Sequence, residues 1–164
     1  MQTLDSFIQS KTIQPDKLKE LVNNIRSQRL TIATLNGSFD ILHAGHLEIL
    51  YQASQQADRL IVALNSDASI KSYKSPKRPF VTLKDRIALM ASLSFVDFVT
   101  WFEELNPIAF LEIIKPDVHV NGAEYGEQCI EADTVKKNGG RLHIVPLVPG
   151  LSTSSLITKI QETI

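Results

Sequence analysis

The stretch NGSFDILHAGHLEIL, residues 36–50, lies where an apolar run gives way to an amphipathic one, with His43 and His46 separated only by Ala44 and Gly45. Upstream, LTIATLNG (30–37) reads as a short buried strand ending in a turn. Downstream, LEILYQASQQA (47–57) reads as a helix with Leu47, Leu50 and Ala53 on one side. The same alternation continues along the chain. RLIVALNSD (59–67), FVDFVTWF (95–102), DVHVNG (117–122) and RLHIVPLV (141–148) are further strand-like runs. Helical segments separate them: TLKDRIALMASL (82–93), opened by Thr82 with Asp85 in capping-box position, and NPIAFLEIIK (106–115), with Asn106 as cap. A further helix ends near NGG (138–140), and STSSLITKIQ (152–161) closes the chain. Strands separated by helices imply a parallel sheet joined by crossovers, so the expected fold is α/β, a single-domain Rossmann-like doubly wound sheet of about five strands with helices on both faces. Ligands of such sheets bind beyond the carboxyl ends of the strands, and the opening stretch follows the first strand.

Before that strand, PDKLKELVNNIRSQ (15–28) spaces Leu18, Leu21, Val22 and Ile25 as a helix. This divides the chain into an N-terminal helical extension (1–30) and the α/β domain (31–164). The segment ASIKSYKSPKRPF (68–80) has no periodicity and four cationic side chains, and is expected to be an irregular loop. With 164 residues, 43% of them hydrophobic, the chain can bury one core and not two ordinary ones. Seventeen basic and 18 acidic residues leave a net charge of -1, so no global footprint for nucleic acid exists and any anion site must be local. Cys129 is the only cysteine, which excludes an intramolecular disulfide and a Cys-x-x-Cys zinc site and suits a reducing cytoplasm. No window has the length of a signal-peptide core or a membrane span.

The first turn of a helix carries partial positive charge and unpaired N–H groups, so stability alone favours Asp, Glu, Ser or Thr there. Two imidazoles are the wrong choice for stability. They fit a site that receives a polyphosphate, because the anion offsets the dipole while the rings donate hydrogen bonds to phosphate oxygens. Small residues between them let phosphates approach the backbone. The bland alternative is one polar cap and one surface histidine. STSSL is a second candidate anion site, with Ser152 and Thr153 presenting hydroxyls at a helix start, although Ser and Thr cap helices everywhere.

GSFDILHAGH resembles the signature of the nucleotidyltransferase superfamily, a Gly-x-Phe-Asp turn leading into His-x-Gly-His. The resemblance continues through RLIVALNSDASIKSYK, RPFVTLKDRIALM, VDFVTWFEE, KPDVHVNGAEY and VPLVPGLSTSSLITKI, nearly everything after residue 30. Together these segments most resemble the adenylyltransferase domain of ADP-heptose synthesis, which transfers AMP from ATP to D-glycero-β-D-manno-heptose 1-phosphate for lipopolysaccharide. In many bacteria that domain follows a sugar kinase. Only about 30 residues precede the first strand here, so a separate sugar kinase is expected to supply the acceptor.

The resemblance implies that His43, His46, Lys71 and Lys74 are the catalytic groups, the two lysines reaching the phosphates when their loop closes. It places Gly37, Ser38, Phe39, Asp40, Gly45, Asn121, Gly122, Ser152, Thr153 and Ser154 around the nucleotide and its phosphates. Mg²⁺, bound mainly through the ATP phosphates with no protein-built metal site, is the expected cofactor. Asp40 either orients neighbouring groups or is structural. Arg86 matches an arginine that recurs in the same helix of relatives, or else makes a helix-surface salt bridge. Lys77 and Arg78 are read as ordinary surface charges, and His119 and His143 as strand residues. ATP and a phosphorylated sugar are the expected partners, with no nucleic acid and no membrane; a homodimer stays open.

Asn121 stands where relatives making ADP-heptose often carry lysine. The enzymatic rival is a glycerol-3-phosphate cytidylyltransferase, whose pattern has arginines where this chain has Ser94 and the neutral run PLVPG (146–150). A non-catalytic nucleotide-binding module is the reading of another class.

Overall fold

The apolar runs become strands β1 (Ile32–Gly37), β2 (Arg59–Asn65), β3 (Phe98–Phe102), β4 (Val118–Gly122) and β5 (Arg141–Val145). In the computed structural model, which describes residues 2–164, all pair in parallel in the order β3-β2-β1-β4-β5. The central strands β1, β2 and β4 are buried on both faces because helices cover both, whereas the edge strand β5 is mostly half-buried. One face buries Ala33, Leu35, Leu60, Val62 and Leu64 under Leu50 and Ala53 of helix α3 (Ala44–Ser54) and Met90 and Ala91 of α5 (Leu83–Ala91). The other buries Ile32, Ile61 and Ala63 under α2 (Leu18–Ser27), α6 (Ile108–Ile114) and Val135 of α7 (Ala132–Lys137). Adjacent residues of one strand thus serve opposite cores.

The remaining helices are α1 (Leu4–Lys11), α4 (Asp67–Tyr73) and α8 (Thr153–Thr163). The first has no sequence signature, since it buries none of its residues. It is tied down instead by Lys11, whose amine donates to the Leu93 and Val96 carbonyls at 2.9 and 2.8 Å, and by the Ile13 N–H on Val99 O at 2.8 Å. In α2, Leu18, Val22 and Ile25 enter the core as their spacing requires. The expectation of an irregular loop over 68–80 fails in its first half, which is α4, capped by Ser66. Ile70 is its one buried large apolar residue, too little for a periodic pattern. Among the described residues no helix is long and apolar enough to cross a membrane.

From β1 the chain moves to one side through β2 and β3, then returns to the other side of β1 for β4 and β5. The direction of winding therefore reverses between β1 and β4. At the carboxyl ends of these strands a cleft of about 580 Å³ opens.

Candidate active site

The cleft is walled by the turn after β1, the start of α3, the residues after β4 and β5, and the start of α8. His43 is the N-cap residue of α3 in extended geometry, yet no side chain caps this helix. The two imidazoles instead stack on one another, centroids 3.8 Å apart and 23° from parallel. The Phe39 ring meets His46 edge-on at 5.1 Å. Neither Nδ1 has a partner although both are buried. The helix-cap alternative is thereby removed.

Burial lowers both histidines. His46 is driven to about 4 by desolvation first, then by His43 and Lys74, against a raising contribution from the Ile41 backbone. His43 is lowered by desolvation. Both rings are therefore neutral near pH 7, each with one N–H able to donate. Gly45 permits the stack: a Cβ there would lie 3.0 Å from His43 Cε1 and 3.3 Å from Leu151 Cβ. That second contact also brings the approach to α8 against the start of α3. Phe39 holds φ at 44°, a strained left-handed value for an aromatic residue, in the turn that aims its ring at His46.

Two helix N-termini thus share one wall. In α8 Ser152, expected to meet a phosphate, is engaged as the helix cap: its hydroxyl accepts from Ser155 N at 3.0 Å, and the Ser155 hydroxyl accepts from Ser152 N at 3.1 Å. Thr153 and Ser154 line the cleft with their hydroxyls uncommitted to that box. Lys74 lies across the mouth and donates to Ser38 Oγ at 2.8 Å. Desolvation, then Arg78 and Arg86, lower its ammonium, with Asp40 opposing.

Of the residues expected around the ligand, Gly37, Ser38, Phe39, His43, Gly45, His46, Lys74, Asn121, Gly122, Ser152, Thr153 and Ser154 come together in the cleft; Lys71, Asp40 and Arg86 do not. Lys71 belongs to α4, exposed and off the wall, because the segment is helical there and not a loop. Asp40 is 1% exposed and accepts from Arg78 Nε and the Phe80 and Val81 N–H groups, so its oxygens face protein. Arg86 makes no surface salt bridge. It is 0% exposed and donates to the Ser38, Asn65 and Val81 carbonyls and to Asp67. Arg78 is likewise no ordinary surface charge, being paired with Asp40, whereas Lys77 is exposed. His119 is a buried strand residue bonded to Thr34 Oγ1 at 2.8 Å, lowered to about 4 by burial against Glu131 and Asn121.

Asn121 faces Glu131 Oε2 at 3.4 Å. Sequence reasoning missed Asn36, Glu124, Tyr125 and the apolar wall from Pro146 to Leu151. The position of Asn36 and Glu124 beside strand ends was available as a signal; the run PLVPG stood out in the sequence for its missing arginine, and not as a wall of the cleft.

A family model described as cytidylyltransferase-like matches residues 34–155. The chain belongs to the cytidylyltransferase-like family. Its relatives include the protein named "Bifunctional protein HldE" of Pseudomonas entomophila, 43% identical over 148 residues, 90% of this chain and 31% of the relative. The protein of the same name from Mesorhizobium japonicum is 44% identical over 137 residues, 83% and 28% of the two chains. The chain thus spans about a third of these relatives. Among solved structures, a lipopolysaccharide core biosynthesis protein of Thermoplasma volcanium matches with a TM-score of 0.59 and 27% identity, over 73% of this chain and 97% of that one. A pantoate-beta-alanine ligase of Francisella tularensis, TM-score 0.66 and 19% identity over 90% and 72%, shares the fold. The cytidylyltransferase-like match runs from within β1 to the first turn of α8, and so includes the starts of both α3 and α8.

Proposed function

We propose that this member of the cytidylyltransferase-like family is an adenylyltransferase that moves AMP from ATP to D-glycero-β-D-manno-heptose 1-phosphate, giving ADP-heptose and pyrophosphate for the lipopolysaccharide core. A phosphate oxygen of the acceptor attacks the α-phosphorus, and the bond from that phosphorus to the bridging oxygen of the β-phosphate breaks, releasing pyrophosphate. The observation that carries the reading is the convergence of two unpaired, neutral histidines and two helix N-termini on one cleft. Such an array positions a triphosphate and stabilises the charge that develops on its oxygens, with no covalent enzyme intermediate required.

His43 and His46 hold the triphosphate at the start of α3, the α8 turn at Thr153 and Ser154 takes a second phosphate group, and Lys74 neutralises charge at the mouth. Glu124 is the one carboxylate on the cleft wall, and no cluster of His, Cys, Asp or Glu among the described residues is built to hold a metal ion. The donor set therefore fits Mg²⁺ that enters on phosphate oxygens. When bound, Mg²⁺ supplies further neutralisation of the polyphosphate. The acceptor, a sugar 1-phosphate, is the product of a kinase-type phosphoryl transfer.

The names of the relatives and of the Thermoplasma protein support the heptose reading. The cytidylyltransferase rival is disfavoured by the run Pro146–Gly150, which lines the cleft without a cation. A matrix of nucleoside triphosphates against phosphorylated acceptors, scored by pyrophosphate release, tests the assignment. ATP with heptose 1-phosphate should give the highest kcat/KM. A better rate for CTP with glycerol 3-phosphate would overturn the substrate assignment, and nucleotide binding without turnover across the matrix would overturn catalysis itself.

A further inference from the structure

The turn after β1 and the segment between α4 and α5 are fastened together by more bonds than either needs for its own fold. Asp40 directs both carboxylate oxygens at that segment: Oδ2 accepts from Arg78 Nε at 2.5 Å, and Oδ1 from Phe80 N at 2.7 Å and Val81 N at 2.9 Å. From beneath, Arg86 links the same two pieces, donating to Ser38 O at 2.7 Å and to Val81 O at 3.0 Å. Residues 74–77 therefore span between two anchors. At one end Lys74 N bonds back to Ile70 O at 2.9 Å in the last turn of α4, and at the other stands Arg78. Within that span Lys74 reaches Ser38 Oγ, whose residue Arg86 holds by its carbonyl.

We propose that Arg78 is a positioning residue, its ion pair with buried Asp40 latching residues 74–77 onto the Ser38–Asp40 turn and so keeping the Lys74 ammonium over the cleft. The pair is suited to this. The carboxylate side is fully desolvated and the Arg78 side chain is 16% exposed, so the bond is screened far less than a surface pair. The guanidinium also lies over the Phe80 ring, 4.8 Å from its centroid, which holds the fork in one orientation. Arg78 is off the cleft wall, so it acts through Lys74 and not on substrate. The inference rests on the reading that Lys74 faces substrate phosphates.

The test uses Arg78→Ala, Arg78→Lys and Arg78→Gln in the whole chain, with one readout that needs no activity. Limited trypsin digestion should cut after Lys74 at least about fivefold faster in Arg78→Ala, with sites outside residues 74–78 unaffected. In the transfer assay Arg78→Ala should lower kcat about tenfold while KM for ATP stays within about twofold, and Arg78→Lys should recover part of both losses. Arg78→Gln, which preserves bulk and a donor, answers the same questions should Arg78→Ala fail to fold. Cleavage after Lys74 at the wild-type rate overturns the latch. So does faster cleavage with unchanged kcat, or a fall in Tm with both readouts unmoved. A wild-type protein that transfers no nucleotide refutes the proposed function alone, and the cleavage rate then decides the latch.

Discussion

Helices α3 and α5 pack on the same face of the sheet, yet their first turns are built on opposite terms. α5 begins conventionally: the Thr82 hydroxyl accepts from Asp85 N at 3.3 Å and donates to the Asp85 carboxylate at 2.7 Å, an acidic group at the positive end of the helix. α3 has no side-chain cap, no acidic residue in its first turn, and two desolvated imidazoles in their place. A missing cap costs about 1 kcal/mol, and the stacked, unpaired rings add desolvation. The difference teaches that the two starts serve different ends. The first turn of α5 is satisfied within the protein, whereas α3 begins without a side-chain cap and with two Nδ1 atoms that lack a partner, as the proposed phosphate site requires.

The largest expected break in this comparison is chemical. His46→Ala and His43→Ala should each lower kcat about 100-fold or more, the order of one lost charge-stabilising donor, with ATP affinity little changed. Turnover within a few-fold of wild type in both would make the α3 start merely unusual. Next, Lys74→Ala should cost about tenfold in kcat, about 1.4 kcal/mol in the barrier, while Lys71→Ala and Lys77→Ala stay near wild type. Equal effects from all three would show that a general positive field, and not one placed ammonium, serves the cleft.

The comparison of caps can also be exchanged. His43→Asp gives α3 the kind of start that α5 has and should raise unfolding free energy by about 0.5–1 kcal/mol while abolishing transfer. Thr82→Ala should lower stability by about 1 kcal/mol and leave kcat alone. Urea melts with matched activity assays decide both, and loss of stability in His43→Asp would contradict the account of α3.

A further test of the α3 start is in pH. His46 and His119 titrate near 4 in the fold, against an ordinary 6.5 in the unfolded chain. Between those values the unfolded chain binds more protons, so stability falls as pH drops from about 6.5 toward 4 and is flat above. A polyphosphate in the cleft favours the charged form of His46, so pyrophosphate should bind with proton uptake at pH 5 and recover part of the loss. Calorimetry in buffers of different ionisation enthalpy measures that uptake.

The sheet was legible because RLIVALN and its counterparts are buried on both faces and so read as unbroken apolar runs. The stacked histidines were legible because their residue types oppose what a helix start wants. α4 was not, since a Ser66 cap and the Asp67–Arg86 bond hold it with little apolar burial. Arg78 was misread for a similar reason: its partner Asp40 lies 38 positions away, and no local pattern distinguishes a paired cation from a solvated one. Asp40 and Arg86 gave a residue type without a role, because each acts on backbone groups that have no signature in sequence.

The last helix, α8, buries none of its residues, although its first turn lines the cleft. During synthesis the central strand β1 must also wait for β4, whose His119 is 85 positions later, before its second neighbour exists. Truncation before Thr153 should leave the sheet and both cores intact and, on the proposed reading, remove one side of the phosphate cradle.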